Sequence, residues 1–226
     1  VVGLHHLLGR KSIFLFLVFA VGLGATTERR NRDYRNSLSI WSDTARKRPQ
    51  NPRAQNNLAL ALKEQGRNVE ANEHFVRAIN LNPNYVSAHS NWGVALMDQG
   101  RLADAIVQLE TAVQLAPAHA DAQVNLGNAL VRMNHLDEAI PHYEAALAVK
   151  PAADAYYDLG FALAGTGQAD EAAKSFLAAL QLQSDLPEAH YQLARLAEQA
   201  NDLSEAERHY AATLRLAPNH AAAHAH

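Results

Sequence analysis

A proline returns at a fixed interval along this chain: Pro49, Pro83, Pro117 and Pro151 stand 34 residues apart, and Pro218 falls on the same lattice once one deleted residue is allowed. So regular a period excludes a domain with a single core and implies stacked repeats, none of which buries its apolar face alone. The lattice divides the chain into five units, 52–85, 86–119, 120–152, 153–186 and 187–220. In the first half of each, an apolar residue precedes a very small one: Leu58-Ala59, Trp92-Gly93, Leu126-Gly127, Leu159-Gly160 and Leu193-Ala194. A small side chain there lets two helices approach closely. Seven residues further on come Gly66, Gly100, Asn134, Gly167 and Asn201. Glycine and asparagine enter the left-handed backbone region at low cost, so this column marks a helix C-terminus. The second half repeats alanine, a large apolar residue and a small one at spacings of four and three, from Ala71-Phe75-Ala78 to Ala206-Tyr210-Thr213. Those spacings put one apolar stripe on one helical face.

Capping chemistry predicts that Asp137, Asp170 and Ser204 precede the second helices, with Ser204 and Glu207 at capping-box spacing. Pro141 is expected in the first turn of its helix, where a proline forfeits little hydrogen bonding. Small-after-leucine, turn glycine, alanine, aromatic, alanine and terminal proline over 34 residues closely resemble the tetratricopeptide repeat, and the resemblance covers 52–220. Ser184 in place of the terminal proline and Trp92 in place of leucine are small departures. The resemblance implies an all-α fold, a right-handed superhelix of antiparallel helix pairs.

The chain has no cysteine, which excludes disulfides, cysteine nucleophiles, zinc–thiolate sites and a lipoprotein anchor. Charge is uneven: residues 1–51 hold nine Lys/Arg against three Asp/Glu, and residues 52–226 eleven against twenty. An array with that acidic excess is not expected to bind nucleic acid. Behind an 11-residue flank (1–11), residues 12–27 carry no charge and include an unbroken apolar run over 13–21. As a helix this stretch spans about 24 Å against a hydrocarbon core of about 30 Å, and Arg10, Lys11, Arg29 and Arg30 can snorkel across the difference. It reads as a transmembrane helix, or alternatively as a secretory signal cleaved near Gly22-Leu23-Gly24-Ala25. Arg10-Lys11 favour a cytoplasmic N-terminal flank and hence extracytoplasmic repeats, periplasmic or lumenal, while Arg29, Arg30, Arg32 and Arg35 oppose this. Signal cleavage leads instead to a secreted array.

Residues 28–51 fit the lattice as a juxtamembrane half repeat, with Trp41 in the aromatic column, Thr44 in the small column and Pro49 in the terminal one. The stretch from Arg29 to Leu58 also resembles the junction at which transmembrane tetratricopeptide-repeat glycosyltransferases of the O-mannosyltransferase kind pass into their repeats. No catalytic residue of that class lies in this chain. At the other end, 221–226 begin a truncated sixth unit, and with Val1 as the first residue this reads as a fragment.

No catalytic constellation emerges. The twelve histidines mostly follow repeat columns: His74, His142 and His209 share one, and His89 and His190 another. The Gly165-Thr166-Gly167 turn lacks the context of a phosphate loop, and no acid pair stands out. The expectation is a non-enzymatic chain without cofactor or metal. What remains is a polar column immediately before the leucine–small pair, formed by Asn57, Asn91, Asn125, Asp158 and Gln192. With Asn128, Phe161 and Arg195 three residues on, it is expected to line a concave inner face, where Tyr157 and Tyr191 supply aromatic anchors. A primary amide offers donor and acceptor to an extended peptide backbone, and the column resembles the asparagine ladder of the O-GlcNAc transferase repeats. The alternative is that these amides only cap or solvate their helices. The leading function is a membrane-attached module binding a peptide or partner helix. The alternative function is the acceptor-recruiting C-terminal region of a membrane glycosyltransferase.

Overall fold

The computed structural model describes residues 36–224, which belong to two compact units dividing between Pro83 and Asn84. Among the described residues are eleven α-helices, one 3-10 turn and no strand. The first unit holds α1 (Ser37–Lys47), α2 (Pro52–Glu64) and α3 (Asn68–Leu81). The second holds α4 (Val86–Asp98), α5 (Leu102–Leu115), α6 (Ala120–Arg132), α7 (Leu136–Val149), α8 (Ala153–Gly165), α9 (Ala169–Leu182), α10 (Pro187–Gln199) and α11 (Leu203–Leu216), followed by the turn Ala221–His224.

Each even-numbered helix ends in the same hydrogen-bonded motif. At the end of α4, Arg101 N–H donates to Leu96 C=O at 2.9 Å and Gly100 N–H to Met97 C=O at 3.0 Å. Such a reversal needs one residue at positive φ, and Gly66 (71°), Gly100 (75°), Asn134 (63°), Gly167 (83°) and Asn201 (61°) supply it. A Cβ built on Gly100 meets nothing within 4 Å, so the requirement there comes from the backbone alone.

Helix starts depart from the sequence reading. The second helices begin earlier than expected, so Asp137 and Asp170 lie inside the first turns of α7 and α9, next to the positive end of the helix dipole. The cap of α11 is Asp202, whose Oδ1 accepts from Glu205 N–H at 3.1 Å; Ser204 lies within the helix and does not cap it. The earlier start also carries Pro141 past the first turn into the interior of α7, which nevertheless continues to Val149. Loss of one N–H is tolerated because α7 is packed on both sides, against α6 and α8.

In the first unit, α1 packs on α2 and α2 on α3. Ala45 is buried, Trp41 and Thr44 are half-buried, and Ser37 Oγ donates to Glu64 Oε2 at 2.9 Å. In the second unit each helix packs on its chain neighbours, and first helices also touch one another, α4 with α6 and α6 with α8. The seam inside each pair explains the small column. A Cβ on Gly93 would stand 2.5 Å from Leu109 Cγ, on Gly127 2.7 Å from Tyr143 Cε1, and on Gly160 2.8 Å from Phe176 Cδ1. Those three large residues are 0–1% exposed, and each contributes about 2–3 kcal/mol by burial.

No described helix is long and apolar enough to cross a membrane. The proposed span 12–27, its flank 1–11 and residues 28–35 of the half repeat lie outside the described residues.

Candidate functional site

The first helices of the second unit carry the expected row at recurring positions. Asn91, Asn125, Asp158 and Gln192 are half-buried along it, with Asn128 also half-buried and Phe161 and Arg195 exposed three residues further on. Part of the row's hydrogen-bonding capacity is engaged within the protein. Asn125 Nδ2 donates to Ser90 Oγ of the preceding repeat at 3.3 Å, and Asn128 Oδ1 accepts from Tyr143 Oη at 2.6 Å. Gln192 Oε1 accepts from Arg195 Nη1 at 3.4 Å, and the Gln192 amide hydrogen-bonds the Tyr157 hydroxyl. An amide has two donors and two acceptor lone pairs, so each bond leaves capacity for a ligand. In the first unit Asn57 Oδ1 accepts from Asn56 Nδ2 at 3.0 Å.

Three of the expected residues converge. Phe161, Gln192 and Arg195 line one cavity of about 420 Å³ with Val131, Leu136 and Leu196. Phe161 is 42% exposed, whereas the seam rings Tyr143, in the preceding repeat, and Phe176, in its own, are 0–1% exposed. Tyr157 neighbours this group and packs on Phe176 with ring centroids 5.6 Å apart; burial raises its pKa. Tyr191 stands apart, stacked between Tyr210 at 5.9 Å and His220 at 4.7 Å.

Asp158 is the exception in the amide column. Burial, and then the charge of Asp154, push its carboxyl up to about 6. A carboxylate held there without a cation is a strained choice for stability, and it marks the one column position where charge replaces an amide.

Sequence reading located the histidine columns but not what they face. His74 Nδ1 lies 2.7 Å from Gln55 Oε1, His89 Nδ1 2.9 Å from Gln108 Oε1, and His142 Nδ1 2.7 Å from Gln123 Oε1. His190 Nδ1 lies 2.9 Å from His209 Nδ1. All four pairs are 19 residues apart, and that recurring spacing of polar residues was the available signal. Gln55 and Gln123 also each donate Nε2–H, at 2.9 Å, to the carbonyl of a lattice proline, Pro49 and Pro117. Among the described residues no group of three or more His, Asp or Glu is placed to hold a metal ion.

Sequence profiles described as tetratricopeptide repeat match residues 85–152, 124–187 and 187–220, and a further TPR-repeat profile matches 60–100. No curated protein matches the chain significantly. Among solved structures, YrrB, described as a TPR protein with an unusual peptide-binding site, superposes with TM-score 0.72 at 20% identity, over 82% of this chain and 96% of that one. A MamA fragment from Desulfovibrio magneticus RS-1 gives TM-score 0.70 at 23% identity, over 75% and 97% of the two chains. Another MamA structure gives 0.66 at 25% identity, over 69% and 91%.

Proposed function

We propose that this chain, which belongs to the tetratricopeptide-repeat family, binds an extended peptide or a partner helix along the inner row of its first helices and performs no chemistry of its own. The observation that carries this reading is Phe161: a ring left 42% exposed beside a cavity of about 420 Å³, with an amide and a guanidinium at the same cavity. Such a site takes an apolar side chain and holds the neighbouring backbone through Gln192 and Arg195. The asparagines at 91 and 125 extend the row, and Asn57 repeats the column in the first unit. Peptide binding by the structural neighbour YrrB is consistent with this use of the fold.

In the finer reading, residues 12–27 anchor the array to a membrane and hold the repeats on the extracytoplasmic side. A role as the acceptor-recruiting region of a glycosyltransferase rests on the resemblance of residues 29–58 alone. The test of binding is a peptide selected from a random display library on the intact chain. Phe161→Ala should weaken it about tenfold, roughly 1.4 kcal/mol. Unchanged affinity would remove the site.

A further inference from the structure

Three repeats close their helix pair with one amide and one imidazole, in either order: Gln55 with His74, His89 with Gln108, Gln123 with His142. In each, Nδ1–H donates to the amide oxygen whether the ring is neutral or charged, so a proton arriving at Nε2 leaves the bond intact. The fifth repeat is different because both partners titrate. His190 Nδ1 and His209 Nδ1 are 2.9 Å apart, with ring centroids at 5.2 Å, and His209 is only 7% exposed. His209 Nε2 lies 3.2 Å from Glu205 Oε1, which also pairs with Arg208.

One neutral arrangement satisfies both contacts. His209 donates Nε2–H to Glu205, and His190 donates Nδ1–H to the bare Nδ1 of His209. A first proton is accommodated: His190 moves its hydrogen to Nε2, and the His209 cation donates in both directions. A second proton leaves two N–H groups facing each other across the same gap, with no acceptor between them.

The nearby carboxylates stand on the His209 side and put no acceptor between the two Nδ1 atoms. Burial, chiefly, holds both histidines below their ordinary value; the charges of His209, Arg215 and Arg208 add to this at His190, while at His209 Glu205 opposes it and Arg208 adds to it. From the packed neighbours, Asp170 of α9 and Asp202 of the α10–α11 turn line one cavity with Glu205 and His209. His220 of the following turn faces α10 through Tyr191. Both rings bind protons less well folded than unfolded, so stability is complete above the ordinary histidine range and falls as pH drops through it towards their lowered values.

We infer that the fifth repeat is an acid-operated joint: a second proton on the His190–His209 pair parts α10 from α11 while α4 to α8 stay folded. Gln192 and Arg195 ride on α10, so opening also dismantles one wall of the cavity. The opening stands on the histidine geometry; only the release of a ligand rests on the proposed peptide site.

Hydrogen exchange of the intact chain, corrected for intrinsic rates, at about pH 7.5 and about pH 5 reads the opening directly. Acidification should cost amides of α10 and α11 about tenfold more protection than those of α6 to α8. His190→Gln and His209→Gln recreate the pairings seen at Gln123–His142 and His89–Gln108, and each should abolish the difference. Uniform protection at both pH values, or a pH response that survives both substitutions, would overturn the inference. A library-selected peptide should leave the wild type at low pH but not His190→Gln. A peptide retained throughout while exchange still responds would locate the failure in the ligand site, not the joint.

Discussion

The seam within each helix pair and the inner row of first helices are built on the same backbone lattice, yet they use it in opposite ways. Along the seam, the same position carries the same kind of residue every time: glycine or alanine against leucine, tyrosine or phenylalanine, each buried to 7% exposure or less. Along the inner row the amide column recurs, but three residues on Leu60, Val94, Asn128, Phe161 and Arg195 range from aliphatic through amide and aromatic to guanidinium. Packing against a fixed neighbour restricts the choice of side chain, and a position open to solvent does not. The seam therefore sets the fold, and the row carries whatever is particular to this chain.

The comparison breaks most visibly at the small column. Gly127→Val forces atoms into the Tyr143 ring, which is 1% exposed and has nowhere to go. The loss should be about 3 kcal/mol in urea melts, well beyond the few tenths gained in helix propensity. Next in size is the turn column. Gly100→Val meets no neighbour but strains a backbone at φ 75°, at about 1–2 kcal/mol, and Gly100→Asn should cost less. Equal midpoints for the two turn variants would contradict the left-handed assignment.

What the sequence revealed follows the same division. Glycine and asparagine in the turn column were legible because one backbone conformation admits few residues, and all five positions have positive φ. Helix starts were less so, since several polar residues compete to cap: Asp202 prevailed over Ser204 in α11, and a separate early start of α7, at Leu136, left Pro141 in a helix interior. The histidine columns were visible, but their partners sit on the other helix of the pair, and a single column does not show what it faces. On the inner row, chemistry could be read position by position. The convergence of Phe161 with Val131, Leu136 and Leu196 depends on how three repeats stack, which no single repeat encodes.

Asp158 sharpens the comparison from the row's side. Its folded carboxyl titrates near 6, above its unfolded value, so the folded chain holds a proton that the unfolded chain has lost. Stability from this group falls as pH rises between those two values, opposite in sign to the histidine pair. Full conversion of the displacement gives about 3 kcal/mol, and solvent screening at a half-buried site brings it to about 1 kcal/mol. Asp158→Asn, which restores the amide of the column, should raise stability by that amount at neutral pH and flatten the dependence between about pH 4 and 6. A destabilised variant would show that the carboxylate has a partner within the fold.

The most direct test of the division between seam and row is Phe161→Ala measured twice, once for melting and once for the selected peptide. Surface truncation of a half-exposed ring should move stability by no more than about 0.5 kcal/mol, while affinity falls about tenfold. A variant that melts several degrees lower and binds as well as the wild type would make Phe161 part of the scaffold and leave the row without its ligand.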